Sequence, residues 1–249
     1  SPKGVRLDDR EARYLSLIPP TARRVLHIGC GPGSLAGALK ARQPAEVFGL
    51  EMCLDEAARI ARTHLDVVFV GDIESPNTEF AAGYFDAIVC GSVLAQVVEP
   101  LPLLKRLGRW LRSGGCLVAE LPNIRQRGVL GSLLEGDWAL GPAGIFRKSC
   151  RHFFTRLEAE RLFDRAGFQA TCMEPVPGPD HAAWLQEGRP REFRAGALHM
   201  RNLRADDAEE YHACSFLVAA APADVIDPGL TSIVILTHNQ LAYTRMCVE

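Results

Sequence analysis

Three glycines alternate in Gly29-Cys30-Gly31-Pro32-Gly33, directly after the apolar run Val25-Leu26-His27-Ile28. Glycine lets a chain turn sharply and lets a ligand approach the main chain with no Cβ in the way, so a strand that enters such a loop and leaves as a helix can cradle a small polar molecule. About twenty residues later Glu51 ends a second apolar run, where a carboxylate can accept both hydroxyls of a ribose. The spacing is GxGxG, with Ser34 standing where a dinucleotide loop has its third glycine, which favours a nucleoside without a pyrophosphate. The alternative for these residues is a plain tight turn flanked by solvated acids.

A second group of residues has types that move protons or hold anions. His152 is a candidate general base, since a hydroxyl becomes a good nucleophile only when its proton is removed; otherwise it is a packing or surface histidine. Arg147, with Lys148 and Arg151, offers positive charge to an acidic acceptor, or else forms a solvated face. Asn123 follows Pro122 and either touches a ligand or shapes a turn, while Asp137 and Trp138 either floor an acceptor pocket or belong to the core. No histidine or carboxylate cluster has metal-ligand spacing, so no metal is expected.

The elements that must position these groups follow from periodicity. Short β-branched runs at Val25–Ile28, Glu46–Leu50, Val67–Val70, Asp86–Cys90 and Cys116–Leu121 alternate with helical patterns at Ser34–Arg42 and Asp55–His64. Leu103, Leu107, Trp110 and Leu111 mark an amphipathic helix that Ser113-Gly114-Gly115 should stop. Thr155 and Glu158 have capping-box spacing ahead of the stripe Ala159, Leu162, Phe163. Phe168–Met173 and Cys214–Ala220 complete the expected strands, with an irregular stretch from Glu174 to Glu210 between them.

With 249 residues, 47% of them hydrophobic, the chain can bury a substantial core, and its formal charge of -2 supplies no basic field for nucleic acid. Eight cysteines are scattered without a CxxC pair, which reads as reduced core residues and a cytoplasmic location. No apolar run reaches the roughly 20 residues of a membrane span. The sequence begins at Ser1 and stops at Glu249 inside a helical pattern, so both ends are read as cuts in a longer protein.

From Thr21 to Phe168 the chain resembles the class I S-adenosylmethionine-dependent methyltransferases, on the strength of the glycine loop, Glu51 and the Val70-Gly71-Asp72-Ile73 motif. The resemblance implies an α/β Rossmann-like fold, a seven-stranded, mostly parallel sheet with helices on both faces. It implies S-adenosylmethionine as cofactor and S-adenosylhomocysteine as product. Gly29, Cys30, Gly31, Gly33 and Gly91 would face the methionine part, Glu51 the ribose, and Asp72 the adenine amino group, with Met52 and Ile73 lining the adenine slot. In this family an acid usually stands at the position of His27 and helps to hold the cofactor's ammonium group. A neutral histidine can accept a hydrogen bond there, with weaker or pH-dependent binding as the consequence.

The segments Leu121-Pro-Asn-Ile124, Gly136-Asp-Trp138 and Gly144 to Thr155 look like a subgroup found fused to, or beside, family 2 glycosyltransferases. An aspartate and a histidine of that pattern are replaced by Arg147 and Cys150, and a Glu-His pair by Ala95-Gln96. Thr231 to Gln240 resembles the opening strand of a family 2 glycosyltransferase. The expected division is an N-terminal extension over 1–20, a methyltransferase domain over 21–222, a linker over 223–230 and the start of a glycosyltransferase-like domain over 231–249. The expected activity is O-methylation of a sugar or glycan-related acceptor, with an attached glycosyltransferase domain as partner. Two rivals stay open: a cofactor-binding scaffold that has lost turnover, and a nicotinamide-dependent oxidoreductase, which the missing third glycine disfavours.

Overall fold

A computed structural model describes residues 7–52, 64–138, 148–195 and 198–223. Helix α1 (Asp9–Leu17) leads into β1 (Arg24–Ile28), α2 (Ser34–Arg42), β2 (Glu46–Glu51), β3 (Val67–Val70) and β4 (Phe85–Gly91). Then come α3 (Pro100–Trp110), β5 (Leu111–Pro122), α4 (Arg127–Leu134), α5 (Arg156–Arg165) and β6 (Phe168–Pro177). Helix α6 (His181–Gln186), the pair β7 (Phe193–Ala195) and β8 (Leu198–Met200), α7 (Ala205–Glu210) and β9 (Ala213–Pro222) complete the order.

The main sheet has seven strands in the order β3-β2-β1-β4-β5-β9-β6. Pairings from β3 through β5 are parallel, and β9 runs antiparallel to both neighbours. Strand β4 is buried over its apolar run because helices cover both sheet faces, as a central parallel strand requires. Alternate residues divide cleanly: Val25, Val47, Val89 and Val118 pack with α1 and α2, while Leu26, Ile88, Leu117 and Ala119 pack with α3 and α5. This is the expected Rossmann-like architecture. After β1 the strand order runs outward through β2 and β3, and after β4 it runs the opposite way. The loops leaving β1 and β4 therefore diverge and open a crevice at their carboxyl ends, the place where open α/β sheets take ligands.

Several boundaries differ from expectation. Residues read as an extension form α1, whose start is closed by a capping box between Asp8 and Glu11, and Tyr14 and Ile18 join the core. Helix α3 ends at Trp110, before Ser113-Gly114-Gly115; those residues form an irregularity inside β5, where the register jumps between Phe85↔Leu111 and Ala87↔Cys116. The Glu174–Glu210 stretch carries α6, α7 and the β7–β8 hairpin, with Phe193 and Tyr211 forming a small core of their own beside Leu130. Thr155 caps α5 by accepting from the Glu158 N–H at 3.2 Å. The expected helix at Asp55–His64, the linker and the 231–249 segment lie outside the described residues, apart from His64 and Ala223 at their edges.

Candidate cofactor site

The loop after β1 has the backbone that its glycines allow. Gly29, Gly31 and Gly33 have φ of +69°, +48° and +77°, the left-handed region that side chains disfavour. A Cβ built on Gly31 would meet no atom of the described residues within 4 Å, so among them the loop is open on that side. Glu51, at the end of β2, turns onto the loop: one carboxylate oxygen accepts from the Gly31 N–H at 3.2 Å and the other from the Met52 N–H at 3.0 Å. The buried Cys30 thiol is pushed up to about 11 by desolvation and by the nearby Glu51 charge, so it stays protonated and inert.

His27 lies on β1 two residues before Gly29 and is 7% exposed. Its Nδ1 is buried with no hydrogen-bond partner among the described residues, and burial pushes its pKa down to about 4, so the ring is neutral at physiological pH. A buried ring nitrogen left unpaired beside an open loop is an atom waiting for a ligand or a water. Across the crevice Gly91 ends β4 with φ of +43°, and the hydroxyl of Tyr14 lies 3.4 Å from where its Cβ would be.

The other expected residues divide. Asp72 is exposed after β3, with a carboxylate oxygen accepting from the Glu74 N–H at 2.8 Å in a local turn. Met52 is 65% exposed at the rim, whereas Ile73 is 2% exposed and packed in the core on the α3 side. Asn123 has a place in the fold. It is fully buried, its carboxamide nitrogen donates to the carbonyls of Glu210 (2.7 Å) and Ala213 (3.0 Å), and its oxygen accepts from the Arg125 N–H at 2.9 Å. Its carboxamide thus ties the end of β5 to α7 and β9 and closes a local turn.

His152 sits where the chain returns to the β4 loop. Its backbone N–H donates to Ala95 O at 3.0 Å, and its Nε2 lies 3.1 Å from the carbonyls of both Val97 and Val98. Two carbonyl partners require that Nε2 carry the proton, so the imidazole clamps that loop and only Nδ1 is left to act as a base. The ring also borders a groove of about 570 Å³ formed with Pro100, Leu101, Phe153 and Arg161. Cys150 and Ala95, which stand where the resemblance expects a histidine and a glutamate, are buried in the core. Arg147 lies outside the described residues; Trp138 is exposed and meets Phe153 edge to face at 5.5 Å.

The structure brings together a histidine–carboxylate pair that spacing did not suggest. His212 Nδ1 lies 2.8 Å from Asp180, with Trp184 stacked on the imidazole at 4.8 Å. The ring is buried, and its pKa is lowered by desolvation against the opposing pull of Asp180. It fastens the segment after β6 to the start of β9.

Taken together, an open glycine loop, a carboxylate turned onto it and an unpaired ring nitrogen suit S-adenosylmethionine. Gly29, Gly31 and Gly33 would admit its methionine part, Glu51 its ribose hydroxyls, and His27 its polar amino-acid end. The bound cofactor would supply a methyl group on a positively charged sulfur, so the protein's task is to hold an acceptor in line with it.

Comparison with known proteins agrees. A family model described as "Methyltransferase domain" matches residues 6–173. A ubiquinone biosynthesis O-methyltransferase of Xanthomonas campestris pv. campestris is 34% identical over 190 residues, covering 74% of this chain and 76% of the relative. The namesake from Paracidovorax citrulli is 28% identical over 131 residues, covering 50% of this chain and 54% of the relative, so the match spans about half of that protein's length. Among solved structures, an S-adenosylmethionine-dependent methyltransferase from Mesorhizobium loti superposes with a TM-score of 0.57 at 17% identity, covering 85% of this chain and 97% of that one. A geranyl diphosphate methyltransferase in complex with S-adenosylmethionine gives 0.54 at 15%, covering 86% and 84%. At such identities the likeness is one of fold. The family match, extending over more than half of the sequence, lets the conclusion be plain: the chain belongs to the class I S-adenosylmethionine-dependent methyltransferase domains, and its cofactor is S-adenosylmethionine.

Proposed function

We propose that this domain transfers the methyl group of S-adenosylmethionine to a hydroxyl oxygen of a small-molecule acceptor, and that the acceptor is a sugar or glycan-related molecule. The observation that carries methyl transfer is the Glu51 carboxylate turned onto Gly31 beside an open loop at the switch point of the sheet. The named activity of the curated relatives, O-methylation, supports oxygen as the receiving atom. The sugar rests on the resemblance of the segments around Leu121–Thr155 and Thr231–Gln240 to glycosyltransferase-linked sequences, which also motivates an attached glycosyltransferase, while the scattered, unpaired cysteines motivate a cytoplasmic setting. Within this reading Gly29, Cys30, Gly31, Gly33, Glu51, Met52, Asp72 and Gly91 surround the cofactor, Arg147 meets the acceptor, and His152 acts as base through Nδ1.

A specific observation favours a second reading. His152 is committed to two backbone carbonyls, and Cys150 and Ala95 are sealed in the core, which is what a domain that binds the cofactor without turning it over would show. Calorimetry with S-adenosylhomocysteine and with NAD, followed by incubation of labelled S-adenosylmethionine with nucleotide-sugars, glycans and quinol precursors of ubiquinone, separates the possibilities. Label on a sugar oxygen supports the proposal. Label on the quinol precursor alone moves the acceptor class, tight binding without transfer to any acceptor supports the scaffold, and binding of NAD alone removes the methyltransferase reading.

A further inference from the structure

A buried carboxylate stands at the carboxyl end of β5 that the methyl-transfer reading leaves unused. Glu120 is 3% exposed, on the face of the sheet covered by α1 and α2. One of its oxygens accepts from the Ser215 hydroxyl at 2.6 Å; the other accepts from the Tyr14 hydroxyl and faces Arg10 Nε at 3.1 Å. The Tyr14 hydroxyl in turn lies 3.4 Å from where a Cβ of Gly91 would be, at the crevice wall opposite the glycine loop. Helix α1 is fastened at the loop as well, where the Ser34 hydroxyl donates to Glu11. The helix thus spans the two sides of the cofactor crevice and delivers a tyrosine hydroxyl to one of them.

A neutral glutamine would tie Tyr14 and Ser215 together equally well without the penalty of burying a charge. Retaining a carboxylate here calls for a positive partner. Arg10 supplies one from the solvent side, its half-exposed side chain placing Nε 3.1 Å from the carboxylate. The crevice has its own need for negative charge, because S-adenosylmethionine brings an ammonium and a sulfonium against one carboxylate. His27, the polar group on β1 facing the same side of the sheet, cannot be negative at any pH. Tyr14 stays protonated, its pKa raised by burial and by the adjacent Glu120 charge, so it donates to Glu120 and keeps oxygen lone pairs free to accept.

We propose that Tyr14 accepts a hydrogen bond from the α-ammonium group of S-adenosylmethionine beside Gly91, and that Glu120 is the positioning residue that holds and polarises that hydroxyl. The proposal rests on the cofactor reading above and assigns the carboxylate that answers the cofactor's ammonium to β5 and α1, away from β1. Titration calorimetry with S-adenosylhomocysteine and with 5′-methylthioadenosine, which lacks the amino-acid end, tests it on the full chain. Tyr14→Phe and Glu120→Gln are expected to weaken S-adenosylhomocysteine by about tenfold or more while leaving methylthioadenosine within about twofold. Equal losses for both ligands would mean that the pair only anchors α1, and unchanged binding of both would remove it from the site; either result overturns the proposal. Should Glu120→Gln fail to fold, Tyr14→Phe, which keeps the ring in place, decides alone. Absence of binding of either ligand to the unaltered chain is a different outcome, which removes the cofactor reading itself and this assignment with it.

Discussion

Gly31→Ala separates what the glycine loop does for folding from what it does for the cofactor. At φ of +48° an alanine is strained, and since its Cβ would meet no atom within 4 Å, that strain is the whole cost to the folded protein. A left-handed residue costs about 1 to 2 kcal/mol, which in a domain of this size lowers Tm by about 2 to 8 °C. The new methyl group projects into the open side of the loop. If the methionine part of the cofactor approaches the backbone there, S-adenosylhomocysteine affinity should fall by about a hundredfold, equivalent to roughly 2.7 kcal/mol. Gly167→Ala is the matched control: its φ is +80°, it too has open space, and it lies between α5 and β6 at the opposite edge of the sheet. Both variants should lose similar Tm in scanning fluorimetry, and only Gly31→Ala should lose binding in calorimetry. Affinity within about threefold of the unaltered chain, with the Tm loss as expected, would refute the reasoning, because no ligand would then be approaching that backbone.

His27 sets a pH window for stability. With its pKa pushed down to about 4 by burial, against 6.5 in the unfolded chain, it contributes equally at all pH values above the unfolded one. Below that the unfolded chain takes up a proton that the folded one refuses, so stability falls between about pH 6.5 and about pH 4, by about 3 kcal/mol in all. Urea titrations across the window should show a shallower slope for His27→Gln, and coincident slopes would contradict the neutral ring. Asn123→Ala should cost about 2 to 3 kcal/mol in urea midpoint while leaving S-adenosylhomocysteine affinity unchanged, and the reverse pattern would return Asn123 to the ligand site. For His152→Gln, a loop clamp predicts a kcat within about tenfold of the unaltered enzyme, whereas a general base predicts a fall of about a hundredfold or more.

The sheet and its glycine loop were legible in the sequence because each rests on a local signal. Strands β1, β2 and β4 are continuous apolar runs, since both faces are covered, and the alternating glycines mark a stretch where only glycine accepts the backbone. Helix α1 had a signal too: Asp8 followed three residues later by Glu11 is capping-box spacing, and the structure shows both halves of that box. The end of α3 was misplaced because Ser113-Gly114-Gly115 looks the same as a helix stop or as a strand irregularity, and the choice is made by pairing with β4, which no local window contains.

Side-chain roles were harder to read, for a reason that Asn123 and Glu120 share. Asn123 followed a proline in a segment that resembled a known motif, and its position alone fits a turn, a ligand or a fold role. What decides is that Glu210 and Ala213, about ninety residues downstream, bring two carbonyls to its amide. Glu120 gave a cue of another kind, one charged residue inside Leu117-Val-Ala-Glu-Leu121, a run otherwise buried on both faces. A charge persists at such a place only when partners offset its burial, and those partners, Arg10 and Tyr14 on one side and Ser215 on the other, come from opposite ends of the chain. The sequence therefore announces that a buried charge needs explaining before it can say what answers it. In this fold part of the answer lies on α1, from which Arg10 and Tyr14 both reach Glu120 across more than a hundred residues of sequence.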